Sequence, residues 1–299
     1  MIGTSRTPRF TRLCSAGIIW LNAKSPVMPK ITSASERTLF NDRHLQGGSA
    51  PRSDTLETVK ERHHTPRNIL AVHVGGTHVK VLLNGQPAAH EIASGPTLTA
   101  RQMVRWVRKL ASDWDYKVVS IGYPAPVLHG RPVCELHNLG GGWLDFDFAK
   151  AFSGRVRLIN DALMQAIGSY RGGRMLLLGL GTGVGTALIV DGVADPMELG
   201  HLPYKNGRTF EEYLGKRGLR RLGARRWRRT VLDVLKELKR ALLVEYTVLG
   251  GGNAHGLTRV SRGGVIGGDD RAFGGAFRLW GRSRADRAGR RSAPYHRTT

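Results

Sequence analysis

From residue 68 onward, apolar and polar positions fall into a regular order. Two segments about a hundred residues apart share one design, 69–85 (ILAVHVGGTHVKVLLNG) and 175–192 (MLLLGLGTGVGTALIVDG): an apolar strand, a Gly/Thr turn, a second apolar strand and a closing turn. Short apolar runs bounded by turn residues predict strands, so the pair predicts an internal duplication of a glycine-tipped hairpin. Between them, 99–114 predicts a helix with Met103, Trp106, Val107, Leu110 and Trp114 on one face, followed by a strand over 117–123. Pro124, Pro126 and Pro132 then enforce a stiff loop that leads past Asn138 to the turn at 140–143. A short helix at 146–152, a strand at 156–160 and a helix at 162–170 complete the first half. The second half repeats the logic. After its hairpin come a loop carrying Glu198 to His201, a helical stretch from Thr209 and a long amphipathic helix over 225–243 with Trp227, Val231, Leu235, Leu238 and Leu242 inward. A strand over 246–249 ends at Gly250-Gly251-Gly252-Asn253, and a last helix covers 273–279. Strand hairpins alternating with helices predict an α/β architecture of two similar lobes with a cleft between them.

Composition adds a bias rather than a function. The 299 residues, 40% of them apolar, suffice for a substantial core. Forty-six Lys and Arg against 23 Asp and Glu give a net charge of +23, which points to a polyanionic partner: nucleic acid, a membrane surface or polyphosphate. Cys14 and Cys134 lie far apart with no Cys-rich spacing, so neither a disulfide framework nor a thiolate zinc site is expected, and a cytoplasmic setting is. No apolar run approaches the roughly 20 residues of a membrane span, so no membrane partner is expected. Residues 1–66 read as a disordered or targeting extension, since 1–35 holds no acid and several Arg and Ser. The basic segment 281–299 reads as a disordered tail.

The hairpin tips are the first candidates for chemistry. Gly75, Gly76 and Thr77, and Gly181, Thr182 and Gly183, lack bulk and offer backbone N–H groups with a hydroxyl, which is what close approach to phosphate oxygens needs. Two such tips across a cleft would hold one phosphoryl group from two sides.

Nine stretches in order carry a resemblance: VGGTHVK (74–80), GYPAPV (122–127), HNLGGGW (137–143), INDA (159–162), GLGTGVGTALI (179–189), ELGH (198–201), RTFEEYLG (208–215), RLGARRWRR (221–229) and VLGGGNA (248–254). Over 68–280 the chain resembles the ROK-family sugar kinases, and among them those that phosphorylate glucose from polyphosphate. The resemblance implies a two-lobed sugar-kinase/actin/Hsp70-type fold, a duplicated ribonuclease H-like design with an interlobe cleft. Its lobes would be 67–160, joined by the C-terminal helix near 270–280, and 161–265. It implies transfer of a phosphoryl group from polyphosphate, and also from ATP, to the 6-hydroxyl of glucose, with Mg²⁺ and as a homodimer.

Residue by residue, Asp161 stands at the catalytic base. A sugar hydroxyl is a poor nucleophile, and transfer needs a carboxylate to accept its proton. The competing role for Asp161 is a helix N-cap. Asn160, Glu198, His201 and Glu211 stand at the sugar contacts, with Asn138 a further candidate, while acids such as Glu211 and Glu212 also suit a helix start. Besides the two tips, Lys80 and Gly250, Gly251, Gly252 and Asn253 match the phosphate-binding stretches. Many relatives place zinc near the ELGH histidine, but 202–218 holds no Cys, so no structural zinc is expected. Thirteen Lys or Arg against four acids over 205–240, a net +9, would suit a chain of phosphates or simply a solvated helix face.

Three positions depart from the family pattern. His73 stands where the family has an Asp beside the transferred phosphate and its hydrated Mg²⁺, Ala125 where Gly is usual, and Asp270 where Asn is more frequent. His73 motivates the alternative of an impaired or non-catalytic sugar-binding protein. A ROK-type transcriptional repressor, a third reading, would require a helix-turn-helix in 1–66, where no such pair of amphipathic helices is evident, and nucleic acid is therefore not the expected partner.

Overall fold

The computed structural model describes residues 68–136, 139–257, 260, 263–268 and 270–281. The expectations for 1–66, for Asn138 and for the tail beyond 281 lie outside them. Apolar β-branched runs make the first strands: β1 (Ile69–Val74), β2 (His78–Leu83) and the mostly exposed β3 (His90–Ala93) form an antiparallel meander. Helix α1 (Ala100–Leu110) starts at a reciprocal cap between Thr99 and Gln102. Strand β4 (Val118–Tyr123) pairs parallel with β1, and a small hairpin of β5 (Val127–Leu128) and β6 (Arg131–Pro132) occupies the proline loop. Helix α2 (Phe148–Ala151) precedes β7 (Arg155–Asn160), which pairs parallel with β4, and α3 (Asp161–Ser169) follows without a break.

The second half opens with β8 (Arg174–Leu180), β9 (Val184–Val190) and β10 (Val193–Met197), again an antiparallel meander. Helix α4 (Phe210–Leu214) leads to α5 (Lys216–Leu242), which is broken at Gly223 by a left-handed φ of 72°. Strands β11 (Tyr246–Gly250) and β12 (Gly264–Ile266) add in parallel to β8, and α6 (Arg271–Arg278) ends the described chain. The two five-stranded sheets have the same order, β3-β2-β1-β4-β7 and β10-β9-β8-β11-β12. The duplication therefore extends beyond the hairpin to the whole sheet.

Alternation along the strands distributes the core among layers. Leu70, Val72 and Val74 of β1 pack under α1, while Ala71 meets Met164 of α3 and Ala272, Phe273 and Ala276 of α6. In the second sheet Leu176, Leu178 and Leu180 face α5, and Met175 and Leu177 face α3. Thus α3 lies against both sheets. It crosses α6 so closely that a Cβ added at Gly168 would stand 1.8 Å from the Arg271 carbonyl, and one at Gly275 would stand 1.7 Å from the Met164 carbonyl. Helix α6 is fastened to the first sheet by Trp280, whose indole N–H donates to the buried Ser120 hydroxyl (2.8 Å), which donates in turn to the Ala276 carbonyl (2.7 Å).

Several expectations need correction. Trp106 is exposed and Val104 takes the inward position, because α1 stops at Leu110 and its buried stripe runs through Met103, Val104 and Val107. Trp114 lies beyond the helix, tilted against His90 at 5.3 Å. The long helix begins nine residues earlier than its apolar pattern indicated. Cys134 is half of a disulfide, against the expectation from cysteine spacing, and Cys14 lies outside the described residues.

Candidate functional site

The junction of β7 with α3 sets the position of the candidate base. Both residues of the Asn160-Asp161 pair are good caps by type, and the backbone assigns the duty to Asn160, whose Oδ1 accepts the N–H of Leu163 at 3.1 Å. Asn160 also donates from Nδ2 to the Ala125 carbonyl at 3.2 Å, so the proline loop is tied to the same point. Asp161 is consequently the first helical residue rather than the cap, and it keeps partial access to solvent. One of its oxygens accepts the N–H of Ala162 at 2.7 Å. Removal from water pushes its pKa above the ordinary carboxylate value, and the charge of Glu198 adds to the rise. His73 and the Ala162 N–H pull the other way. A carboxylate that is hard to keep charged is one ready to take a proton.

Glu198 and His201 sit at the two ends of a short 3-10 turn (Leu199–His201), with Glu198 Oε2 3.3 Å from His201 Nε2. That contact raises the His201 pKa, burial lowers it, and the charges of Glu198 and Glu211 raise it further. The adjoining acids of α4 divide their work. Glu212 closes a reciprocal cap with Thr209, whereas Glu211 turns to the second hairpin and accepts the N–H of Val184 at 3.1 Å. The helix-start role therefore belongs to Glu212. The charges of His73 and Glu198 act on Asp161, and those of Glu198 and Glu211 act on His201, so Glu198 influences both.

The second tip is braced from three elements. Gly181 bonds across the turn to the Gly183 carbonyl (3.1 Å), and its own carbonyl accepts from Asn253 Nδ2 (2.8 Å) and from the Lys216 N–H (3.1 Å). Thr182 is left exposed at the apex. Asn253, at the end of the Gly250-Gly251-Gly252-Asn253 turn, thus meets Gly181. At the first tip, Ser94 donates to the Gly75 carbonyl (2.7 Å) while Gly76 and Thr77 are exposed. Lys80 is ion-paired with Glu91 of β3 at 3.4 Å.

Glu135 organises the loop before Asp145, and the sequence reading missed it. Its carboxylate accepts the N–H groups of Gly142, Trp143 and Leu144 (3.0 to 3.3 Å), and the Trp143 indole donates to the Gly140 carbonyl. The signal was an acid five residues before a Gly-Gly-Gly-Trp turn, whose backbone N–H groups need acceptors. The expected Mg²⁺ finds no ready-made cage: among the described residues no group of three or more His, Cys, Asp or Glu is placed to hold a metal. Across Gly122 from the start of α3 the side chain is His73, an imidazole and not an acid. These residues do not fit a protein-held cation.

The geometry is that of a duplicated α/β fold with its acid at the first turn of a helix between the two sheets. No protein-family model and no curated protein matches the chain. Among solved structures, the fold is that of ROK-family sugar kinases. It is similar to the inorganic polyphosphate/ATP-glucomannokinase from Arthrobacter sp. strain KM, with a TM-score of 0.59 at 20% identity over 71% of this chain and 98% of that one. It is also similar to a ROK family glucokinase from Streptomyces griseus in complex with glucose and AMPPNP (TM-score 0.57, 17% identity, 73% and 99% covered). A ROK family transcriptional regulator, homolog of the E. coli MLC protein, shares the fold as well (TM-score 0.54, 12% identity, 71% and 78% covered). Identities this low establish the fold and leave the activity to the site.

Proposed function

We propose that the chain is a sugar kinase that transfers a phosphoryl group from polyphosphate, and also from ATP, to the 6-hydroxyl of glucose. The observation that carries this reading is Asp161. It is relieved of capping by Asn160, keeps partial exposure, and shares its surroundings with Glu198. In this reading Asp161 accepts the hydroxyl proton, and Glu198, His201, Glu211, Asn160 and Asn138 hold the hexose through its other hydroxyls. The glycine tips and Asn253 present N–H groups to the donor's phosphates. The lobes are 67–160, completed by α6, and 161–265. Mg²⁺ enters only as the counter-ion that the donor's own phosphates bring. Polyphosphate is favoured over a nucleotide by α5, where Lys216, Arg217, Arg220, Arg221, Arg225, Arg226 and Arg229 are all exposed. Distributed cations match distributed charge.

His73 favours a second reading, a sugar-binding protein with little or no turnover. A coupled assay for glucose 6-phosphate, run with polyphosphate and with ATP separately, decides between them. Product with polyphosphate is expected. Glucose binding without product from either donor would leave the sugar-binding reading in its place.

A further inference from the structure

The strand row just before each hairpin tip differs between the twin sheets. In the second sheet it reads Gly185, Gly179, Gly250 across β9, β8 and β11. The first sheet reads Glu91, Lys80, His73, Gly122, Ile159 across β3, β2, β1, β4 and β7. Lys80 is ion-paired with Glu91, and His73 is the next basic side chain in the row. Gly122 opens the way: a Cβ added there would stand 2.4 Å from Met164 Cε and 3.5 Å from His73 Cδ2. Met164 lies one turn along α3 from Asp161, and the strand neighbour of Asn160 is Tyr123, next to Gly122. The imidazole therefore lies across Gly122 at the root of α3, on the side from which Asp161 begins.

We propose that His73, placed across Gly122 from the start of α3, is a positioning residue for Asp161, its imidazole, when it carries a proton, favouring the charged, proton-accepting form of the carboxylate; the catalytic sense of this rests on the kinase reading above. The groups facing Asp161 are few. The charges that act on it are those of His73 on β1 and of Glu198 just before the 199–201 turn, and the Ala162 N–H of α3 donates a hydrogen bond to it. Opposite charge close to an acid favours its ionised form, and here it offsets both burial and Glu198. A neutral residue at position 73 would leave the carboxylate facing Glu198 with backbone dipoles alone.

The test reads Asp161 directly. In the full-length protein with ¹³C-labelled aspartate, the Asp161 carboxyl signal is assigned by its loss in Asp161→Asn and followed from pH 3 to pH 9. In His73→Gln the titration midpoint is expected to move upward, and in His73→Lys, which keeps a positive charge, to stay with the wild type. A midpoint unchanged in His73→Gln overturns the proposal, as does an equal upward shift in His73→Lys. Should His73→Gln fail to fold, His73→Asn takes its place. The same variants then separate this idea from the kinase reading. With an active wild type, the acid limb of kcat/KM should shift upward with the carboxyl signal and the high-pH plateau should be retained. An inactive wild type whose carboxyl signal still shifts in His73→Gln would sink the kinase reading and leave the pairing standing.

Discussion

Replacing Asp161 by Asn separates chemistry from fold, because the two consequences run in opposite directions. The Asn Oδ1 can still accept the Ala162 N–H that Asp161 holds at 2.7 Å, and the cap is carried by Asn160 next door, so helix α3 loses nothing. What disappears is a charge held where water is scarce. The folded-state pKa of Asp161 lies above its ordinary value, so the acid favours folding at low pH, and this contribution is lost as pH rises through the folded value. At pH 7 the carboxylate is a burden on stability that Asn lacks. The variant should therefore melt no lower than wild type at pH 7. Turnover should fall by about 10² to 10⁴, the usual contribution of a general base. That is about 2.7 to 5.4 kcal/mol on the barrier, at 1.36 kcal/mol for each factor of ten. The assay is coupled detection of glucose 6-phosphate, with glucose affinity from titration calorimetry and Tm from scanning calorimetry. Wild-type turnover in Asp161→Asn would refute the assignment of the base. A lost Tm together with lost glucose binding would show that the residue is structural.

Four further outcomes are expected. Gly168→Ala should destabilise by about 1 to 3 kcal/mol or more in urea unfolding, since its Cβ would stand 1.8 Å from a backbone oxygen of α6 that no rotamer change can move; an unchanged midpoint would show that the helices cross less closely. Thr247→Val should stabilise by about 1 kcal/mol, because the Thr247 hydroxyl, fully buried in β11, has no hydrogen-bond partner among the described residues; a lower Tm would mean that the hydroxyl is satisfied. The Glu198–His201 pair, with the His201 pKa raised, should contribute below the unfolded value of about 6.5 and lose its effect as pH rises through the folded value. As both side chains are about half exposed, a double-mutant cycle with Glu198→Gln and His201→Gln should give less than about 1 kcal/mol at pH 6 and nothing at pH 9. Changing Arg225, Arg226 and Arg229 together to Gln should weaken use of polyphosphate and flatten its salt dependence while sparing glucose affinity; equal loss with ATP would take α5 out of the donor site.

The elements legible in the sequence were those with enough apolar residues to fix a period. Both hairpins, α1, α3 and β11 were placed within a few residues by such runs. Strands β3, β10 and β12 were not, and each has a reason: HEIA is mostly exposed, VADPM carries a proline at a sheet edge, and GVI is three residues long. Missing β3 hid the partner of Lys80, which is Glu91. At the site, residue type left Asp161 as either base or cap, and left Glu211 and Glu212 both suited to a helix start. Only backbone geometry told which residue caps and which reaches outward. Contacts between residues far apart in the chain, such as Trp280 with Ser120, leave no local trace at all.

That last contact bears on how the chain matures during synthesis. The first sheet is complete by residue 160, yet one of its faces is covered by Ala272, Phe273 and Ala276, more than a hundred residues later. On the ribosome the half made first must wait with Ala71 uncovered and the Ser120 hydroxyl without its acceptor, the Ala276 carbonyl, while the second half is still being made. At about 5 to 20 residues per second the delay is on the order of ten seconds. A nascent chain stalled before α6 emerges would offer an open apolar sheet to chaperones, so the two halves, though built alike, mature on unequal schedules.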